Sequence, residues 1–249
     1  MGKPRVAIFD FACCEGCQLQ IANLDEDLLN LIELVEPVEW REAMSEKAGQ
    51  IDVAIVEGSI TRAEDEQRLK EIRQRAGILM ALGSCATHGG VNKLRNRVPL
   101  EEAQRIVYGA SAGMPHLQSG QVKAVHEVVP VDLKIYGCPI EITEFSRIIR
   151  ELAAGRTPFV PNYPVCVECK LRENVCRYEY NEICLGPVTR AGCNARCPSN
   201  GMWCFGCRGP VDHPNINAAY DVMAKYGKTV EDLVGKLELF CSGEEGIRG

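Results

Sequence analysis

Long apolar runs are missing from this 249-residue chain. No stretch approaches the roughly 18 consecutive apolar residues that a membrane-spanning helix needs. Positive charge is not in excess either. The 28 Lys and Arg against 34 Asp and Glu leave a formal charge of −6, and the pI is near 5.4. That balance argues against a nucleic acid or an anionic membrane surface as partner. The N-terminal MGKPRVAIFDF runs straight into a strand-like segment, without a basic n-region, an apolar h-region or a twin-arginine pair. There is no internal repeat and no low-complexity tract. Histidine is sparse, with 4 residues, and His116, His126 and His213 have no ligand-like spacing. These absences lead to the expectation of a soluble cytoplasmic protein. There thiols stay reduced, and clustered cysteines mean metal or redox chemistry.

Cysteine is what the chain has in abundance. Of 14 in all, Cys166, Cys169, Cys176, Cys184, Cys193, Cys197, Cys204 and Cys207 fall in one short segment. Eight thiols divide into two sets of four, and four thiolates are what one tetrahedral zinc ion or one cubane iron–sulfur cluster requires. The C-x-x-C pairs Cys166/Cys169 and Cys204/Cys207 alone leave a zinc-stabilised interaction module open.

Composition divides the chain in two. Residues 1–155 read as alternating strands and helices. Val6–Phe11, Asp52–Ile60, Gly77–Gly83 and Val131–Gly137 are strand-like. Leu19–Val35 has helical spacing, Thr61–Arg75 a charged amphipathic pattern with Thr61 as N-cap and a solvated outer face, and Glu141–Ala153 a further helix. Such alternation predicts a flavodoxin-like α/β domain with a parallel sheet. Residues 156–249 begin as a coil-rich, cysteine-rich stretch with little apolar periodicity, expected to be organised by metal clusters rather than a side-chain core. Closing helices follow over residues 214–240, with Val222, Leu233, Leu237 and Leu239 among their apolar positions, and the last seven residues read as a frayed tail.

Four more thiols stand directly after predicted strands: Cys14 and Cys17 after the first, Cys85 after GILMALG, Cys138 after VDLKIYG. Ligands of doubly wound sheets bind at these carboxyl ends, so the four are expected to converge. Gly16, Gly83, Gly89 and Gly137 beside them would let backbone approach a bulky anionic group. The tandem Cys13–Cys14 leaves a choice between Cys14/Cys17 and Cys13/Cys14. The C-x-x-C is preferred, because adjacent side chains diverge in extended backbone.

With RVAIFDFACCEGCQLQ, IVEGSI, GSCATHGG, IYGCPIE, YPVCVECKLRENVC and CLGPVTRAGCNARCPSNGMWCFGC in view, nearly the whole chain resembles the small subunit of a [NiFe] hydrogenase. The likeness is greatest to the soluble branch that works with NAD(P), ferredoxin or sulfur. The resemblance implies three [4Fe–4S] clusters: proximal on Cys14, Cys17, Cys85 and Cys138; distal on Cys166, Cys169, Cys176 and Cys184; medial on Cys193, Cys197, Cys204 and Cys207. It further implies electron relay between a nickel–iron large subunit and a flavin- and iron–sulfur-containing acceptor subunit. Cys166 stands where membrane-bound relatives commonly have histidine, and Cys197 where they often have proline, so full cubanes of lower potential are expected. Cys13 and Cys241 are left over as spare thiols. The related cluster-bearing subunit of respiratory NADH dehydrogenases also uses a tandem Cys-Cys, but it carries a single cluster. Among other residues, His88 is a candidate to tune the proximal cluster. Glu57 and Gly58 are expected near the cluster mouth and the large-subunit contact, and Glu15 is a candidate for proton movement.

Overall fold

The computed structural model describes residues 2–242; the expected frayed tail lies outside them. Five strands form one sheet: β1 (Arg5–Asp10), β2 (Glu36–Trp40), β3 (Ile51–Glu57), β4 (Ala76–Leu82) and β5 (Leu133–Ile135). All pairings are parallel, in the order β2-β1-β3-β4-β5. This is the flavodoxin-like order. Strand β2, short and of mixed polarity, is not among the predicted strands. Its burial depends on packing across the sheet and not on its own pattern.

Ten α-helices follow in chain order among the described residues: α1 (Gly16–Ala22), α2 (Glu26–Leu34), α3 (Ala63–Arg75), α4 (Gly83–His88), α5 (Leu100–Tyr108), α6 (Ile142–Ala153), α7 (Val165–Leu171), α8 (Arg196–Ser199), α9 (Ile216–Lys225) and α10 (Val230–Cys241). The expected single helix over 19–35 is broken in two, with Asp25 at a left-handed φ of 50° between the halves. Thr61 is not the cap of α3. Arg62 holds that position, and the Asp65 carboxylate accepts the backbone N–H of Arg62 at 3.1 Å and the Thr61 hydroxyl at 3.4 Å.

Alternation along the strands sorts side chains to two faces. Val6, Ile8, Val53, Ile55, Met80, Leu82 and Ile135 pack against Ile21 of α1, Leu31 of α2, and Phe145 and Ile148 of α6. Ala7, Phe9, Ala54, Val56, Leu79 and Ala81 pack against Leu69 and Ile72 of α3, so this charged helix is solvated on its outer face only.

Past residue 160 the expectation of almost no side-chain core needs correction. Val165, Tyr178, Leu185, Val188 and Ala195 form an apolar cluster with Ala219 and Met223 of α9 and Leu233 and Leu237 of α10. The closing helices supply the apolar faces that the coil lacks, and Cys184 and Cys204 are part of the cluster. Val222 and Leu239 are partly exposed instead. Helix α10 also packs back on the first half, where Arg97 pairs with Glu238. Among the described residues no helix is long and apolar enough to cross a membrane.

Leu69 is fully buried between α3 and the sheet. Leu69→Ala is expected to cost about 2–5 kcal/mol, as truncated core leucines do. Denaturant titration of the purified protein measures it, and a loss below about 1 kcal/mol would mean that this face is not packed as described.

Candidate metal centre

Parallel register places Asp10, Glu57, Leu82 and Ile135 side by side at the carboxyl edge of the sheet. The chain leaves β1 into the loop with Cys14 and α1 with Cys17, leaves β4 into α4 with Cys85, and leaves β5 toward Cys138. These four cysteines, distant in sequence, line one cavity of about 250 Å³, together with Gly16, Glu57, Ser84 and Gly137. Gly83 has a φ of +79°, and a Cβ there would run into the Cys17 sulfur, so glycine is what lets sulfur and backbone approach.

Cys13 lines a second, open depression with Thr61, Val91, Asn92 and Arg95, although its thiol still feels the charge of Glu57 and Cys85. The residue before it, Ala12, is pinned: its carbonyl accepts from the Ser59 hydroxyl at 3.2 Å and from Asn92 Nδ2 at 2.8 Å. The cavity is therefore lined by the C-x-x-C pair and not by the tandem pair.

Burial dominates the electrostatics of this cavity. It pushes the Cys85 thiol up to about 12, with Cys138 and Cys14 adding to the rise. It raises Cys138 as well, helped by Cys14, and Cys17, helped by Glu57. Thiolates gathered out of water repel one another, and a bound cationic centre removes that penalty. Glu57 is itself buried, and its carboxylate accepts the N–H groups of Cys17 and Gln18, both at 3.1 Å, so it orients the start of α1. Gly58 has a φ of +98°, and a Cβ there would meet the Phe11 backbone at 2.7 Å. Glu15 sits at the entry to α1 with a φ of 59° and pairs with Arg41 at 3.6 Å.

The second quartet is gathered too. Cys166 and Cys169 on α7, with Cys176 and Cys184, line a cavity of about 380 Å³ that α9 closes with Ala218, Ala219 and Val222. Burial pushes Cys166 up to about 12, and Cys184, Cys169 and Cys176 all add to the rise. Gly186 leaves room for two of these sulfurs, since a Cβ there would stand 3.2 Å from Cys166 Sγ and 3.5 Å from Cys184 Sγ.

Of Cys193, Cys197, Cys204 and Cys207, Cys204 touches the second quartet and Cys207 the first. Burial pushes Cys207 up to about 11, with Cys193 and Cys197 adding, while the Cys138 backbone N–H donates to its sulfur and opposes the rise. Burial also raises Cys193, against the field of the Arg208 guanidinium. The N–H of Cys204 donates to Cys184 Sγ at 3.2 Å. A residue of each outer set is thus one hydrogen bond from a residue of the middle set. Exposure follows the same order: Cys14, Cys138 and Cys176 are exposed, and none of the middle four is.

Several functional contacts were not legible in the sequence. His88 lies against the loop that follows Cys207. Its buried ring stacks on Tyr136 with centroids 6.0 Å apart and packs on Gly209, and burial holds it down to about 3, hence neutral. Glu168, between Cys166 and Cys169, reaches across to the middle loop and accepts the N–H of Gly192 at 2.8 Å and of Ala195 at 3.1 Å. The Ser84 hydroxyl donates to the Cys207 carbonyl. Cys241 is buried, with its thiol 3.9 Å from the Gly206 carbonyl.

Among the described residues no three His, Cys, Asp or Glu side chains are gathered tightly enough to hold a single metal ion. Each outer thiol quartet lines a cavity with room for a cluster.

Known proteins share this arrangement of sequence and fold. The family described as NADH ubiquinone oxidoreductase, 20 Kd subunit, matches residues 14–152. Sulfhydrogenase 2 subunit delta of Pyrococcus furiosus is 40% identical over 95% of this chain and 99% of its own length. A subunit of the F420-non-reducing hydrogenase vhu of Methanocaldococcus jannaschii is 32% identical over 94% of this chain and 92% of its own. Among solved structures, a chain of the NAD+-reducing [NiFe]-hydrogenase in the H2-reduced state superposes with a TM-score of 0.59 at 31% identity, covering 64% of this chain and 96% of that one. Iron–sulfur binding is the chemistry that this family and these thiol sets share.

The split between the two cavities at Cys13–Cys14 generates a test. Cys14→Ser is expected to lose the iron of the first-half site, whereas Cys13→Ser keeps the full complement. Equal losses from both variants in iron analysis would return the site to the tandem pair.

Proposed function

This chain belongs to the hydrogenase small-subunit branch of the NADH ubiquinone oxidoreductase 20 kDa subunit family, and on that premise we propose that it is the electron-transfer subunit of a cytoplasmic heteromeric [NiFe] hydrogenase. Its chemical partner is a large subunit on which H2 gives two protons and two electrons. A flavin- and iron–sulfur-containing subunit exchanges those electrons at the other end. When bound, iron–sulfur clusters supply reversible one-electron transfer at potentials set by net charge, hydrogen bonds to sulfur and exposure.

The observation that carries this reading is the convergence of Cys14, Cys17, Cys85 and Cys138 on one cavity at the sheet's switch point. Residues 1–155 hold this proximal [4Fe–4S] site. Residues 156–249 hold the medial site on Cys193, Cys197, Cys204 and Cys207 and the distal site on Cys166, Cys169, Cys176 and Cys184. The N–H of Cys138 to the Cys207 sulfur, and the N–H of Cys204 to the Cys184 sulfur, support the sequence proximal, medial, distal. The exposed cysteines at the two ends mark where partners approach. The large subunit meets the face around Cys14 and Cys138, and the acceptor subunit meets the face around Cys176.

The test is iron, acid-labile sulfide, zinc and nickel on the complex purified anaerobically with its partners. About twelve iron and twelve sulfide per chain are expected, three cubanes of four each, with nickel in a co-purifying subunit. About two zinc without sulfide would overturn the reading. In the Cys14→Ser complex, isotope exchange with H2 at the large subunit should survive while reduction of an added acceptor is lost. Acceptor reduction at the wild-type rate would remove the proximal site from the route.

A further inference from the structure

Arg208 is the largest side chain that this fold buries completely. Its Nε donates to the Ala191 carbonyl at 2.8 Å, one Nη donates to the Tyr136 carbonyl at 2.7 Å, and the other pairs with Glu144 Oε1 at 2.9 Å. Both members of the pair are out of water, with side chains 1% and 4% exposed. Gly192 makes room for them, since a Cβ there would run into the guanidinium and stand 2.7 Å from the Glu144 carboxylate.

Each contact falls beside a cysteine of interest. Arg208 follows Cys207, Ala191 and Gly192 precede Cys193, and Tyr136 precedes Cys138 by two residues. Stability alone is a poor reason to keep such a pair, because well-packed apolar residues commonly replace buried ion pairs without loss. A charge fixed in low dielectric beside a redox site has another use, and an arginine carries that charge at every accessible pH.

We propose that Arg208 is a positioning and tuning residue whose fixed positive charge raises the reduction potential of the group held by Cys193, Cys197, Cys204 and Cys207, with Glu144 offsetting part of that charge. This rests on the three-cluster reading above. Reduction adds one negative charge to the site, and the guanidinium stabilises that form relative to the oxidised one. The middle site is thereby more readily reduced than it would be without the guanidinium. Glu168, on the far side of Gly192, is unchanged in every variant below, so differences among them report the pair itself.

The test is a redox titration of the intact complex followed by electron paramagnetic resonance, with iron content measured in parallel. Arg208→Met is expected to move the medial midpoint to lower potential, with roughly a tenfold drop in the reduced-to-oxidised ratio at the wild-type midpoint, which is about 59 mV for a one-electron couple. Arg208→Lys retains the charge and should stay close to wild type. Glu144→Gln keeps an acceptor for the guanidinium and removes the offsetting charge, so its midpoint should rise. A purely structural pair would not produce opposite signs. If Arg208→Met does not retain its iron, Glu144→Gln decides alone, and a midpoint that is unmoved or lowered overturns the proposal. A wild-type complex with fewer than three cluster signals defeats the underlying reading. Three signals with unmoved midpoints in both charge-removing variants defeat only this inference.

Discussion

The parallel register of β1, β3, β4 and β5 is the constraint on which everything else depends. A parallel sheet delivers every strand's carboxyl end to one edge, so residues scattered from Cys14 to Cys138 emerge together without any contact having to be built between distant loops. The register also aligns Glu57 with Asp10 and Leu82, which puts its carboxylate under the first turn of α1, where it accepts the amides of Cys17 and Gln18. A slip of one residue in β3 would turn that carboxylate to the opposite face and fill the site with an apolar side chain.

The second half follows a different physical logic. Among the described residues it has no sheet to organise it, and its core is small, completed by α9 and α10. What fixes its loops relative to the first half is a set of buried polar contacts: Arg208 to the Tyr136 carbonyl, Ser84 to the Cys207 carbonyl, and the His88 ring between Tyr136 and Gly209. Glu168 does the same between the distal and middle loops. In low dielectric such bonds are strong when satisfied and costly when broken, so they hold loops that apolar packing does not.

Two consequences for electron transfer follow from this arrangement under the proposed function. The amide-to-sulfur links run from the first set to the middle and from the middle to the last, which gives the chain a direction from the sheet edge toward α7 and α9. The charges are distributed unevenly along that direction. Glu57 lines the first site alone, whereas the Arg208–Glu144 pair and Glu168 stand beside the middle one. Potentials respond to such charges more strongly in buried sites than in exposed ones, because water does not screen them.

Much of this was legible in the sequence, because it is carried by local pattern. Near-continuous apolar runs over Val6–Phe11 and GILMALG mark strands wherever they end up. Cysteines placed directly after such runs mark the carboxyl edge of a parallel sheet. The sequence by itself determined the α/β class, the change of character near residue 155 and the thiols available to hold metal. Contacts between residues far apart leave no periodic trace, and only the tertiary structure decided those. Cys13 came to line a different depression from Cys14 and Cys17, β2 was buried by its neighbours, and His88 turned toward Gly209. Nothing in the CRGP tetrapeptide itself marks Arg208 as buried. Its role comes from Glu144, sixty-four residues away, and from the missing Cβ of Gly192, because a buried charge is defined by what surrounds it and not by the residues beside it in the chain.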